Sequence, residues 1–260
     1  MKPFAILMAV AAAFSISPAF SQTVFDTTLG EADQPTADVS TNELREILRR
    51  GSAIVLDARP PMEYAISHIP GARNVAPQPG RAAHLYVSDV AEVGRLVGGA
   101  KDKPLILYCN GPFCGKSKRL AVELAKDGYP RVRRYQLGSP GWRTLSGAAM
   151  QTELPAVRYI RADATAVWVD ARDPKHFRRG SVIGARNIPA SGLQPGKDQG
   201  VIKTAKDDGR LPMDDHNTRI IVFGTDGRDA RAVADAIVAE AFHNVSFIAA
   251  PFDQVLRAAR

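Results

Sequence analysis

Two patterns of apolar residues alternate along the chain. AIVLD (53–57) and PLILYC (104–109) are short, nearly continuous apolar runs. Such runs predict strands buried on both faces, as in a parallel sheet covered by helices. VRRYQL (132–137) reads as a third strand. Between them the spacing becomes helical. NELREILRR (42–50) follows Ser40, which with Glu43 forms a capping box, and Gly51 stops it. DVAEVGRLV (89–97) reads as a helix. In KSKRLAVELAKDG (116–128), Leu120, Ala121 and Leu124 share one face and Gly128 ends the run. The order then repeats with AVWVD (166–170), RIIVF (219–223), ARAVADAIVAEAF (230–242) and VSFIA (245–249).

The repetition extends to identities. Asp57, Ala58, Arg59, Pro61, Gly71, Ala72, Arg73 and Asn74 match Asp170, Ala171, Arg172, Pro174, Gly184, Ala185, Arg186 and Asn187 without a gap. LILYCNGPFCGKS (105–117) aligns with IIVFGTDGRDARA (220–232) two residues further out of step. Two domains from one ancestral unit account for this economically. The expected fold is α/β, with two tandem domains, each a mostly parallel sheet flanked by helices. The expected boundaries are a flexible lead at 22–37, a first domain at 38–147, a linker at 148–158 and a second domain at 159–260.

Residues 1–21 read as a signal peptide. One Lys precedes an apolar stretch from Phe4 to Ile16, and Pro18 and Ala19-Phe20-Ser21 follow. The stretch is short for a membrane span. Cleavage near Ser21 and a periplasmic location are expected, with no membrane contact afterwards. The chain of 260 residues carries a formal net charge of +7, and losing Lys2 leaves +6. Its basic residues are scattered among acids, so the charge suits small anions, and no nucleic-acid partner is expected.

The candidate chemistry lies in LYCNGPFCGKS (107–117), which holds the chain's two cysteines, Cys109 and Cys114. Three readings are open. A structural staple would close only four intervening residues and constrain little of the unfolded chain. A metal site would need two more ligands, and His68, His84, His176, His216 and His243 make no clustered spacing, so no metal is expected. The third reading is a nucleophile in an anion-binding loop. Cys109 ends a buried strand, Gly111 and Pro112 suit a tight turn, and a helix start follows. Loop amides and the helix start favour a thiolate. Asn110, Gly111, Pro112, Phe113, Gly115, Lys116 and Ser117 form the candidate loop, with Lys116, Lys118 and Arg119 as cations at its entrance. The loop curls around the Cys109 sulfur, so Cys114 is a candidate resolving or disulfide partner.

VLDARPPMEYAISHIPGARNV (55–75), LILYC and LGSPGWRTLSG (137–147) together resemble a tandem rhodanese-like protein. The resemblance is strong over 38–147 and weaker over 159–260. It implies a sulfurtransferase that takes sulfane sulfur from a small anion such as thiosulfate. Cys109 would hold that sulfur as a persulfide and pass it to a thiophilic acceptor: a thiol, a cyanide-like anion or a protein. No cofactor is implied. Two departures stand out. The family's loop cation five positions after the cysteine is replaced by Cys114, and Lys116 follows at the seventh. The phosphatase-type loop of the same superfamily needs Arg at the sixth, where this chain has Gly115. In the second unit Gly224 stands in the cysteine's place, so that unit cannot form a persulfide.

Other matched positions read mainly as structural. Asp57, Arg59 and Glu63 are expected in an ion-pair network at a strand end, with Asp57 and Arg59 as possible supports of the loop. His68 is expected to hydrogen-bond a loop. Trp142 is expected as a wedge beside the pocket. Arg228 and Arg231 are candidates for an anion over the second loop or for a solvated helix start. Two rival functions are a thiol–disulfide redox protein using Cys109 and Cys114, and a non-catalytic binding module.

Overall fold

A computed structural model describes residues 23–32, 34–75 and 90–260. The expected signal peptide, residues 1–21, lies outside the described residues. Among the described residues no helix is long and apolar enough to cross a membrane.

The first unit runs α1 (Thr41–Arg50), β1 (Ile54–Asp57), α2 (Pro61–Ile66), β2 (Arg73–Asn74), α3 (Val90–Leu96), β3 (Leu105–Tyr108), α4 (Gly115–Lys126), β4 (Val132–Tyr135) and α5 (Gly138–Leu145). The second runs β5 (Met150–Thr152), α6 (Leu154–Arg161), β6 (Val167–Asp170), α7 (Pro174–Phe177), β7 (Arg186–Asn187), α8 (Gly200–Asp207), β8 (Ile220–Phe223), α9 (Gly227–Ala239), β9 (Val245–Ile248) and α10 (Phe252–Ala258). The strand orders are β2-β1-β3-β4 and β5-β9-β8-β6-β7. Every strand pair is parallel, as the buried apolar runs predict. Helix α1 starts and stops on the predicted residues. The Ser40 hydroxyl accepts from the Glu43 amide, and Gly51 takes the left-handed conformation at φ 62°. The other half of the capping box is missing, because the Glu43 carboxylate pairs with Arg133 on β4.

Two expected boundaries change. Residues 148–158 join the two units as ordered strand and helix rather than as an irregular connector. Met150–Thr152 pair in parallel with β9, so the second sheet is already under way at Met150. Three residues are too few to show a period, and Pro155, which reads as a breaker, sits in the first turn of α6, where proline is tolerated. The lead is not loose either. Arg134 on β4 is 2% exposed, and a buried cation needs a partner. Glu31 and Gln34 supply it, at 3.1 and 2.7 Å from Nη1. Asp38 bridges to Arg134 in parallel, so the lead covers the outer edge of β4 as β5 covers β9.

The pleat divides each core. In the first unit Leu56, Leu105, Leu107 and Cys109 face α3 and α4. Val55, Ile106, Tyr108 and Tyr135 face α1 and α5, with Trp142 among them. The units are joined at β5. Its Gln151 exchanges two backbone hydrogen bonds with His68, of 2.9 and 2.8 Å. Thr152 Oγ1 donates to the Ile66 carbonyl, and Ala65 enters the core of the second unit.

Asp57 is fully buried and takes a bidentate hydrogen bond from Arg59, whose Nη2 also donates to the Ser67 carbonyl at 2.7 Å. Asp170 and Arg172 repeat this arrangement, with Gly180 in the place of Ser67. Removing one partner of such a pair strands a buried charge. Asp57→Ala and Asp170→Ala are each expected to lose about 3–5 kcal/mol of stability. Urea unfolding checks this, and a loss within the range of an ordinary surface substitution would contradict it.

His68 gives the join a pH dependence. It is 1% exposed, its Nδ1 lies 3.0 Å from the Tyr64 carbonyl, and its ring stacks on Tyr64. Burial holds the imidazole below its ordinary range, outweighing the Tyr64 carbonyl and the Glu153 carboxylate 3.4 Å from Nε2. The unfolded chain therefore takes up a proton where the folded chain does not, and stability falls as pH drops through about 6.5. Wild type should lose more stability on acidification than His68→Gln in matched urea titrations. Identical pH slopes would contradict the assignment.

Candidate active site

The site grows from the carboxyl end of β3. Strand parity places Cys109 on the α4 side with Leu105 and Leu107, and it is 1% exposed. The chain then turns. Gly111 has φ 104°, a value open to glycine, and the Cys114 amide donates to the Gly111 carbonyl at 3.0 Å. Helix α4 begins at Gly115 with Cys114 as its N-cap, and no side chain caps it. Its first amides and its partial positive charge therefore remain at the loop.

Two outside contacts fix the loop. The Ser139 amide, at the start of α5, donates to the Cys109 carbonyl at 3.0 Å. Gly138 lies so close that a Cβ there would stand 2.3 Å from the Cys109 oxygen and 2.4 Å from the Gly111 nitrogen. This is the structural meaning of the first glycine in LGSPGW. The Asn110 amide donates to Glu63 on α2 at 2.6 Å. Glu63 thus ties the loop to α2, and its charge also acts on Arg59, with which the sequence grouped it.

The sulfurs of Cys109 and Cys114 form a disulfide, with their Cα atoms 6.4 Å apart. The buried Ser117 hydroxyl donates towards Cys109 Sγ at 3.6 Å, and the Cys114 carbonyl oxygen lies 3.5 Å from that sulfur. Asn110, Pro112, Phe113 and Gly115 are exposed, while Cys114 and Lys116 are half-buried. Phe113 is exposed over its whole side chain. Lys118 lies 3.7 Å from Glu31 and Arg119 lies 3.6 Å from Glu123, so both of these entrance cations have carboxylate partners.

The supporting residues lie elsewhere. Asp57 and Arg59 shape the turn after β1, and their duplication in the cysteine-less unit marks them as structural. They reach the site through Tyr108, the residue before Cys109, and through the Glu63 charge that acts on Arg59. Arg59 lies over the Tyr108 ring at 5.7 Å, and burial, then the Asp57 charge, push that phenol well above its ordinary range. Trp142 is not a wedge beside the pocket. It is 3% exposed in the core on the opposite face of the sheet from Cys109. Strand parity separates the two, and a motif match does not show which side of the sheet a residue takes.

The second unit closes the corresponding place. Gly224 follows β8 as Cys109 follows β3, but α9 begins at Gly227 after two further residues, where the first unit has five. The gapless alignment therefore fails beyond the strand. The Asp226 carboxylate caps α9, accepting from the Arg228 and Asp229 amides at 2.9 and 3.3 Å. A fixed carboxylate thus occupies the helix end where an anion would bind. Arg228 pairs with Asp226 and Arg231 with Asp235, which favours the solvated helix start for both.

The family matches agree with this architecture. The HTH-type transcriptional regulator Rv0324 of Mycobacterium tuberculosis is 32% identical over 113 residues, covering 42% of this chain. The match spans 44% of that relative, less than half its length. Among solved structures, the BH2092 protein of Bacillus halodurans shows 25% identity over 45% of this chain and 77% of its own, with a TM-score of 0.37. SseA of Escherichia coli, a 3-mercaptopyruvate sulfotransferase by its description, shows 20% identity over 82% and 97%, with a TM-score of 0.35. A thiosulfate sulfurtransferase of Pseudomonas aeruginosa shows 22% identity over 82% and 43%, also at 0.35. The rhodanese-like domain matches twice, at residues 40–145 and 156–257. With its duplicated α/β sheets and a match over most of its length, the chain belongs to the rhodanese-like domain family, in tandem form.

Proposed function

We propose that this protein is a sulfurtransferase in which Cys109 carries sulfane sulfur. The observation that carries the reading is the place of Cys109, at the end of a buried parallel strand and under a turn that leads into the uncapped start of α4. A thiolate there is favoured by the helix start and by the Ser117 hydroxyl. The donor is a small anion such as thiosulfate, bound by the amides of α4 and the half-buried Lys116. The Cys109 thiolate attacks the outer sulfur. The sulfur–sulfur bond of the donor breaks, sulfite leaves with the electron pair, and Cys109 holds a persulfide. A thiol or cyanide-like acceptor, or a protein thiol, then takes the outer sulfur in a second displacement. The second unit has neither the thiol nor an open loop, and its part is to hold the first through β5 and His68. The leader at 1–21 supports a periplasmic site of action, where cysteines pair readily.

Transfer needs Cys109 reduced, because the disulfide occupies the nucleophilic sulfur. Cys109→Ala should abolish thiosulfate:cyanide transfer while circular dichroism stays native. Activity near wild type in that variant would sink the assignment. The oxidised protein should be inactive and recover with a mild reductant.

Lys116→Ala should raise KM for thiosulfate more than it lowers kcat. An unchanged KM would leave the α4 amides as the whole anion site.

A further inference from the structure

Of the two bonded sulfurs, one is the nucleophile of the proposed transfer. A structural staple is the plain account of such a bond, and two features of the molecule oppose it. The second unit joins strand to helix at the same place with Gly224 in the cysteine's position, a loop three residues shorter and no cysteine of its own. The strand and helix of this fold therefore meet without a bridge between them. The partners are also unlike: Cys109 is 1% exposed beneath the loop, while Cys114 is half-buried beside the exposed Pro112 and Phe113. Cys114 is in addition the N-cap of α4, a helix of 12 residues, and no side-chain hydrogen bond occupies that end. A thiol in this position loses its proton readily.

We infer that Cys114 is a second catalytic residue, which resolves the Cys109 persulfide and releases its outer sulfur as hydrogen sulfide. The inference rests on the sulfur-transfer reading above and places the reductant of the persulfide within the chain itself. After sulfite has left, the persulfide on Cys109 takes a proton from water on its outer sulfur. The Cys114 thiolate attacks Cys109 Sγ. The bond between the two cysteine sulfurs forms, the bond from Cys109 Sγ to the outer sulfur breaks, and HS⁻ departs with the electron pair. The two thiols are oxidised together and the sulfane sulfur is reduced, which leaves the disulfide present in the structure. A dithiol reductant resets the pair. Its first thiolate attacks the more accessible Cys114 Sγ and frees the Cys109 thiolate, and its second thiol resolves the mixed disulfide. In sum, thiosulfate and a dithiol give sulfite, hydrogen sulfide and a disulfide. The loop thus couples sulfur transfer to thiol oxidation, and the cation position of the family's loop is given over to the resolving sulfur.

The test uses the full chain, reduced, desalted under argon and mixed with thiosulfate with no added thiol. Sulfite, sulfide and intact protein mass are followed. Wild type should release sulfite and sulfide in equal amounts, once per chain, and end as the disulfide. Cys114→Ser should release the same sulfite, no sulfide, and keep one added sulfur. Cys114→Ala should behave as Cys114→Ser, which sets aside any effect of the serine hydroxyl. Retention of the added sulfur by wild type for as long as by the variants, without sulfide, would overturn the inference and leave sulfur transfer standing. Failure of all three proteins to release sulfite would overturn the transfer reading, and the inference with it.

Discussion

Parallel pairing of every strand is the constraint on which the site depends. It brings the carboxyl ends of β1, β3 and β4 to one edge, in a register that sets Asp57 beside Tyr108 and Tyr108 beside Tyr135. The next residue of β3's chain is Cys109. Its side is then set by the pleat, because Leu105 and Leu107 already face α4. A shift of one residue would turn the sulfur towards α1 and Trp142. The buried Asp57–Arg59 pair fixes the turn next door, and Gly138 and Ser139 hold the loop from the side of α5.

The second unit acts as an internal control. What the two share belongs to the fold: the buried Asp–Arg pair, the asparagine that donates to two carbonyls at the strand end, and a parallel pairing on the outer edge, a single bridge at Asp38 beside β4 and the strand β5 beside β9. What they do not share belongs to the chemistry. The first unit spends five residues between strand and helix and leaves α4 uncapped. The second spends two and caps α9 with its own carboxylate. Loop length and cap, as well as the cysteine, separate the two junctions.

Much of this was legible in the sequence because the signals are local. The strands announce themselves as apolar runs, α1 by Ser40 and Gly51, and the duplication by matched residues. At the candidate site, the turn from a buried strand ending at Cys109 into a helix was legible. Three features were not. Strand β5 is three residues long and carries no period. The side of the sheet taken by Trp142 depends on how α5 packs, which no motif records. The shortened second loop was visible only indirectly: matched residues are 113 apart at β1, 115 at β3 and 113 again at β4. That return means the second unit loses two residues between these strands, and the loop at the end of β8 is where the shortening falls. The tie between Glu63 and Asn110 joins residues far apart in sequence and needed the fold to bring them together.

The central claim is that sulfur passes through Cys109. The most direct measurement is peptide mapping of the Cys114→Ser protein, quenched soon after exposure to thiosulfate labelled at its outer sulfur. The account predicts label on the peptide that carries Cys109, removed by a reductant and absent when the label is on the inner, sulfonate sulfur. Label retained from the inner sulfur, or none on Cys109 while sulfite is released, would contradict it.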